Sequence, residues 1–414
     1  MAKTVRILGV GMVKFAKPGS NDPYEVMAGN AIRAALADAG LEFDDVQQAY
    51  ASYVFGDSAC GQAALYRVGM SGIPVFNVNN NCSSGSSALF LARQAILSGA
   101  ADCVIAFGFE EMRPGALGAV WNDRTSALID LEHVLEKQVP GVPAAPNALR
   151  LFGSAAAAYI EKTGANEDVF AKVAVKTRAH AMNNPYAIFN KEITVDEVMN
   201  SRVIFAPYLR KLEACPPSCG AAAAVVCSEG FARKRATGRD IQIFAQVMTT
   251  DRADRDADPI NLAGAGMTRY AAKQLYEQAG VGPDDIHVIE LHDCFTSNEV
   301  ITYEGLGLCG DGEAERLIND GDNTYGGKYV VNPSGGLMSK GHPLGATGLA
   351  QCATRDAAQR RSESTPGRIR TNCFTAQSRI GGRLRDDAVR ALVPRSQIRC
   401  AQANEFAAGS SAVK

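Results

Sequence analysis

This sequence of 414 residues is poor in several things: one tryptophan, five histidines and no run of 18 apolar residues. Without such a run, no membrane-spanning helix is expected. A surplus of either charge is missing too, since 42 Lys and Arg stand against 44 Asp and Glu, a net charge of −2. That balance argues against a nucleic-acid partner, which calls for a basic stripe or excess. The eleven cysteines form no CxxC pair (Cys215 and Cys219 are four apart), and their odd number and irregular spacing do not make a disulfide framework. No GxxxxGK[ST] phosphate loop occurs, and the glycines at 9 and 11 lack the third member and helix context of a dinucleotide fingerprint. The opening segment, Met1 to Val10, is too short of apolar residues for a signal peptide and reads as a first strand. These absences predict an intracellular protein with mostly free, buried cysteines. What is present is ample apolar material: 46% of residues are hydrophobic and 21% charged, enough for two or three folded domains.

A repeat organises the chain. Ala31 to Val46 reads AIRAALADAGLEFDDV, and Ala271 to Ile286 reads AAKQLYEQAGVGPDDI. Each is an Ala-rich amphipathic helix ending at a glycine, Gly40 or Gly280, with Asp-Asp before an apolar strand. Helix, glycine, short loop and strand are the grammar of layered α/β units, and the shared spacing points to duplication. A second pair supports it: the runs at 75–78 and 329–332 each lead into small-residue turns and a helix. The stretch between the halves has no counterpart and carries Pro140, Pro143, Pro146 and Asn183-Asn184-Pro185, all loop signals. The expected division is a first half over 1–118, an inserted helical domain over 119–214, a return strand within 215–238, a second half over 239–400 and an unstructured tail over 401–414.

Four residues could carry chemistry. Cys82 follows a strand and precedes an apolar helical run, where a helix N-terminus would stabilise its thiolate. His342 lies in a Gly-His-Pro turn opening the matching helix of the second half. It is expected to stay out of the core and face Cys82 as its base. His292 and Cys294 end the apolar strand 288–291, the position at which α/β sheets bind ligands. There Cys294 could exchange protons and His292 could donate to an oxyanion. His292 and Cys294 lack a second short-spaced pair, so no metal is expected. The remaining cysteines, including Cys215 and Cys219, read as packing or turn residues.

These motifs resemble the thiolase family, in its sterol-carrier-protein type. The resemblance rests on Tyr53-Val54-Phe55-Gly56-Asp57-Ser58, Asn79 to Ser87, His292 to Phe295, Gly321 to Gly327 and Asn332 to Cys352, and it runs from residue 5 to about 353. It implies a five-layered αβαβα fold of two pseudo-symmetric halves plus an inserted loop domain, usually a homodimer. It implies that Cys82 takes an acyl group as a thioester, His342 activates it, Cys294 is the second acid/base, and His292 with His342 stabilises the enolate or thioester oxygen. The reaction implied is reversible, CoA-dependent cleavage of a 3-oxoacyl-CoA, possible substrates being steroid or branched acyl groups. Coenzyme A would be a cosubstrate, held on the inserted domain, with no bound cofactor. Two alternatives remain: a retro-aldol lyase acting on a CoA thioester, and a lipid- or acyl-CoA-binding subunit without catalysis. No separate carrier domain follows in the sequence, and the terminal Ala-Val-Lys is not a peroxisomal address, so a cytoplasmic location is expected.

The resemblance stops near Thr354. The family expects a segment like ALQHNLGLGGA and a Val-rich closing strand, whereas residues 354–361 are polar and no such strand is evident. Codons possible for 373–389, read one base later, restore Leu-Gln-His-Asn-Leu-Gly-Leu-Gly-Gly and the strand after it. The C-terminus therefore reads as frameshifted from somewhere after Cys352, with Arg379 in place of the glycine that completes an oxyanion hole.

Overall fold

The structure is a computed structural model that describes residues 4–113, 123–126, 128–235, 241–353, 373–375, 398–400 and 403–404. Its centre is a seven-stranded mixed sheet. The spatial order is Ile398–Cys400, Ile241–Ile243, Val5–Met12, Gly220–Ser228, Cys103–Glu110, Gln48–Ser52 and Val75–Val78. Two of these strands show why both faces are covered. In Cys103–Glu110, the side chains of Cys103, Ile105, Phe107 and Phe109 pack toward helix Tyr24–Ala39, while Val104 and Ala106 pack toward helix Ser84–Ser98. Gly220–Ser228 alternates in the same way, its Ala221, Ala223 and Val225 on one side and its Ala222, Ala224 and Val226 on the other. Period-two alternation of uniformly apolar residues is what a strand buried on both faces requires.

The duplication is visible in three dimensions. Helices Tyr24–Ala39 and Ala265–Ala279 end at Gly40 (φ 65°) and Gly280 (φ 68°), left-handed positions that favour glycine. Short 3₁₀ turns at Phe43–Asp45 and Pro283–Asp285 follow, then strands Gln48–Ser52 and Val288–Glu290. Between the halves run helices Ile129–Gln138, Asn147–Thr163, Asp168–Ala181 and Val195–Met199 and a short hairpin of Val203–Phe205 with Leu209–Arg210. They pack on the second half, where the Tyr159 hydroxyl donates to Glu304 at 2.7 Å.

Strand Val288–Glu290 is flanked by Val330–Val331 on one side and Cys373–Thr375 on the other, both parallel. Among the described residues this sheet therefore has three strands; the Val-rich closing strand, which the shifted reading places from 383 on, lies outside the described residues. Ala403–Asn404, in the stretch expected to be unstructured, pairs with Val247–Met248. The remainder of the segment read as frameshifted, Arg379 included, lies outside the described residues, as does most of the tail. Among the described residues no helix is long and apolar enough to cross a membrane.

Candidate active site

Two turns at helix entrances, one from each half, meet over the sheet. The first connects strand Val75–Val78 to helix Ser84–Ser98 and carries Cys82. It is knit by its own polar groups: the Asn80 N–H donates to Ser84 Oγ (2.8 Å), and the hydroxyls of Ser83 and Ser84 donate to the carbonyls of Asn80 and Asn81 (2.8 and 2.7 Å). Asn81 takes φ 47°, a left-handed conformation that asparagine tolerates better than most residues. This sharp reversal presents Cys82 just before the helix begins.

The second turn, 341–346, leads into a helix that starts at 347 and carries His342. Its approach to the first turn depends on missing side chains. A Cβ on Gly345 would lie 2.4 Å from the carbonyl oxygens of both Phe109 and Ser52, and one on Gly348 would lie 2.4 Å from the Ser86 nitrogen. The Gly345 peptide is gripped from both ends: its carbonyl accepts from Ser52 Oγ (2.7 Å) and its N–H donates to Glu110 (3.0 Å).

These contacts bring donor atoms of Cys82, His292 and His342 within 4.8 Å of one another. The two imidazoles meet edge to face, with centroids 4.9 Å apart at 85°. Cys294 is also buried beside them in the chain, but it is outside this mutual set. Its carbonyl accepts from the Cys215 N–H at 2.9 Å.

The hydrogen bonds of His342 decide its tautomer. Thr347 Oγ1 donates its single proton to the Pro343 carbonyl (2.9 Å), so at 2.8 Å it must accept from His342 Nδ1–H. The lone pair is then on Nε2, a buried atom without a hydrogen-bond partner. Burial holds His342 well below the usual imidazole range, with the neighbouring His292 and the Lys340 ammonium adding to the effect. Burial alone lowers His292 to about 4. Both rings are therefore neutral at pH 7.

Two expectations change here. His342 is buried, 5% exposed, because the whole stretch 331–352 is packed between the halves. Cys82 is not a preformed thiolate either: burial, and then the Glu110 carboxylate, push its thiol up to about 12. Desolvation of the charged form opposes the stabilisation expected from the helix N-terminus.

Three residues have supporting roles that the sequence did not show, although Asp293 lies inside the His292 to Phe295 motif. Glu110, 1% exposed at the carboxyl end of its strand, accepts from the backbone N–H groups of Val54, Phe55 and Gly345, joining two motif segments. Burial raises its carboxyl to about 7. Ser218 accepts from the His342 N–H at 2.9 Å while donating to the Pro216 carbonyl. Asp293 accepts from the Leu337 and Met338 N–H groups at 2.7 and 3.4 Å, fixing the turn that leads to His342. The available signal for Glu110 was an acidic residue closing an unbroken apolar strand; Ser218 offered none.

A nucleophile beside a neutral, oriented histidine defines a site suited to acyl transfer. The profile of the thiolase N-terminal domain matches residues 5–230, and that of a thiolase C-terminal domain-like unit matches residues 248–392. The chain belongs to the thiolase family, and its fold is the thiolase fold. It is 51% identical over 355 residues to sterol carrier protein 2 of Oryctolagus cuniculus, covering 84% of this chain and 64% of that protein. It thus spans under two thirds of the length of that curated relative. It is 36% identical to the benzoylsuccinyl-CoA thiolase subunit BbsB of Thauera aromatica, covering 85% of this chain and 88% of that one. A solved structure named Ltp2-ChsH2(DUF35) aldolase aligns with TM-score 0.71 and 26% identity over 89% of this chain and 93% of that one.

Proposed function

We propose that this chain catalyses CoA-dependent cleavage of a 3-oxoacyl-CoA through an acyl thioester on Cys82. The observation that carries the reading is the Cys82–His342–His292 cluster with His342 Nε2 as its open base. Because the resting thiol is protonated, attack is coupled to proton transfer. As the Cys82 sulfur bonds to the 3-oxo carbon, its proton passes to His342 Nε2 and the carbon–carbon bond breaks. The departing enolate of acetyl- or propionyl-CoA takes a proton, a role the family resemblance gives to Cys294, while the shortened acyl group stays on Cys82. The thiol of CoA then attacks the thioester and regenerates Cys82. His292, neutral, supplies a donor to the developing oxygen charge. CoA and acyl-CoA are the partners this chemistry needs; the inserted domain over 119–214 is the proposed CoA side, and no resident cofactor is required.

A homodimer is part of the same reading. Strand Val75–Val78 ends the seven-stranded sheet, and Phe76, Tyr66 and Met70 stand exposed near it. An apolar edge that is unpaired among the described residues, just ahead of Cys82, suits pairing with the same edge of a second copy. The aldolase named above favours a second reading, retro-aldol cleavage, and the sterol carrier name of the mammalian relative favours lipid binding. Cys82 beside an oriented base supports acyl transfer over both.

The test is CoA-dependent loss of 3-oxoacyl-CoA, with intact-mass detection of an acyl adduct on Cys82. Turnover and adduct are expected in the wild type, and Cys82→Ala should lose at least about 10⁴-fold in rate. Cleavage of a 3-hydroxyacyl-CoA without added CoA, retained in that variant, would favour the lyase. Binding with neither turnover nor adduct would favour the lipid-binding reading. The frameshift proposed after Cys352 has its own check: peptide mass spectrometry over 354–400, and restoration of the family-like frame, which should raise the rate about 10²–10³-fold through the added oxyanion donor.

A further inference from the structure

We propose that Cys82, His292 and His342 form a three-ligand site for one borderline-soft divalent ion, such as zinc, and that its binding blocks Cys82. The blocking clause rests on the acyl-transfer reading; the binding itself does not.

Sequence spacing could not show this site, because its ligands come from three segments and both halves of the chain. In space their donor atoms lie within 4.8 Å of one another. A tetrahedral ion with metal–ligand bonds of 2.0–2.3 Å needs donors about 3.5 Å apart, so side-chain rotations of about 1 Å would close the set. One donor is already prepared: Thr347 holds Nδ1–H of His342, leaving the Nε2 lone pair buried and without a hydrogen-bond partner. This hydrogen bond resembles the way metal-bound histidines are usually oriented, through the ring nitrogen that does not face the metal.

Donor chemistry selects the ion. Two imidazole nitrogens and one thiolate suit zinc or cobalt, whereas magnesium and calcium prefer oxygen. Three protein ligands leave a fourth position for water or for the thiol of CoA. Local charge is mixed. Lys340 opposes a cation near His342, but its ammonium lies 3.6 Å from Glu290 and 2.9 Å from Ser334 Oγ. The Glu110 carboxylate acts on Cys82 in the opposite sense. On binding, the sulfur–hydrogen bond of Cys82 breaks, a sulfur–metal bond forms, and the proton leaves to buffer. No electron is transferred.

Cobalt(II) titration of the full-length protein tests the proposal. A thiolate-to-cobalt charge-transfer band saturating at one equivalent is expected, displaced by zinc. Cys82→Ser should weaken binding by more than about 100-fold, and Thr347→Val by about 10-fold. Alkylating Cys82 in the folded wild type should abolish the band without any mutation. No band in the wild type, or a band unchanged by Cys82→Ser and by alkylation, would overturn the site. Cobalt binding at Cys82 in a protein that never turns over would keep the site and sink the acyl-transfer reading. Turnover undiminished by saturating zinc would keep that reading and sink the blocking role.

Discussion

The two helix-entry turns over the site occupy equivalent places in the duplicated halves, yet they are held differently. The turn with His342 is buried and tied to distant elements through Ser218, Glu110 and Asp293. The turn with Cys82 is knit by hydrogen bonds within residues 79–87, and its cysteine is half-buried. The contrast fits a division of labour. A base must keep one tautomer and one direction, which takes outside partners. A nucleophile must remain reachable by its substrate, which a self-contained turn allows.

The sharpest way to break this comparison is to remove each working atom in turn. Cys82→Ala should cost at least about 10⁴-fold in CoA-dependent turnover, and His342→Ala about 10²–10⁴-fold, because a general base contributes that much. If His342→Ala left turnover intact, the base would have to be found elsewhere. A milder probe is Ser218→Ala, which strips the acceptor from the buried His342 N–H without touching either reacting atom. About a 10-fold fall in turnover is expected, the weight of one buried hydrogen bond. Iodoacetamide labelling of Cys82 should stay unaltered, and Ser218→Thr should recover part of the rate. A matching loss of Cys82 labelling would show that the two turns are not independently held.

The smallest expected effect concerns Glu110, which belongs to the outside support of the His342 turn. Its carboxyl is raised from 4.5 to about 7 by burial. Between those values the native state binds more protons than the unfolded chain, so this group's contribution to stability falls as pH rises through that window. Glu110→Gln carries no such charge. Its melting temperature, relative to wild type, should therefore rise by roughly 3 °C between pH 5 and pH 8. A constant difference across that range would show that Glu110 titrates as an ordinary carboxylate.

Much of the architecture could be read from the chain because its signals are local. The paired Ala-Gly and Asp-Asp spacing marks the two helix–strand units, and both appear with left-handed glycine caps. Cys82, His292 and His342 were legible because each stands at a strand end or helix entrance, and the structure brings the three together. Cys294 was singled out on the same grounds but lies outside that set. The supports were not legible, since each depends on contacts over long sequence separations: Glu110 reaches Gly345, and Ser218 reaches His342. The protonation of Cys82 was misjudged for a related reason. Helix position can be seen in sequence, whereas desolvation depends on what the rest of the chain packs around the sulfur.

The raised thiol also bears on how this protein ages. Peroxides attack thiolates, and a thiol pushed up by burial offers few ionised sulfurs at neutral pH. A resting Cys82 should therefore survive oxidant that would inactivate a cysteine poised as an anion. Vulnerability would be confined to moments when a substrate carbonyl draws the proton away, so damage would accumulate with work done and not with time elapsed.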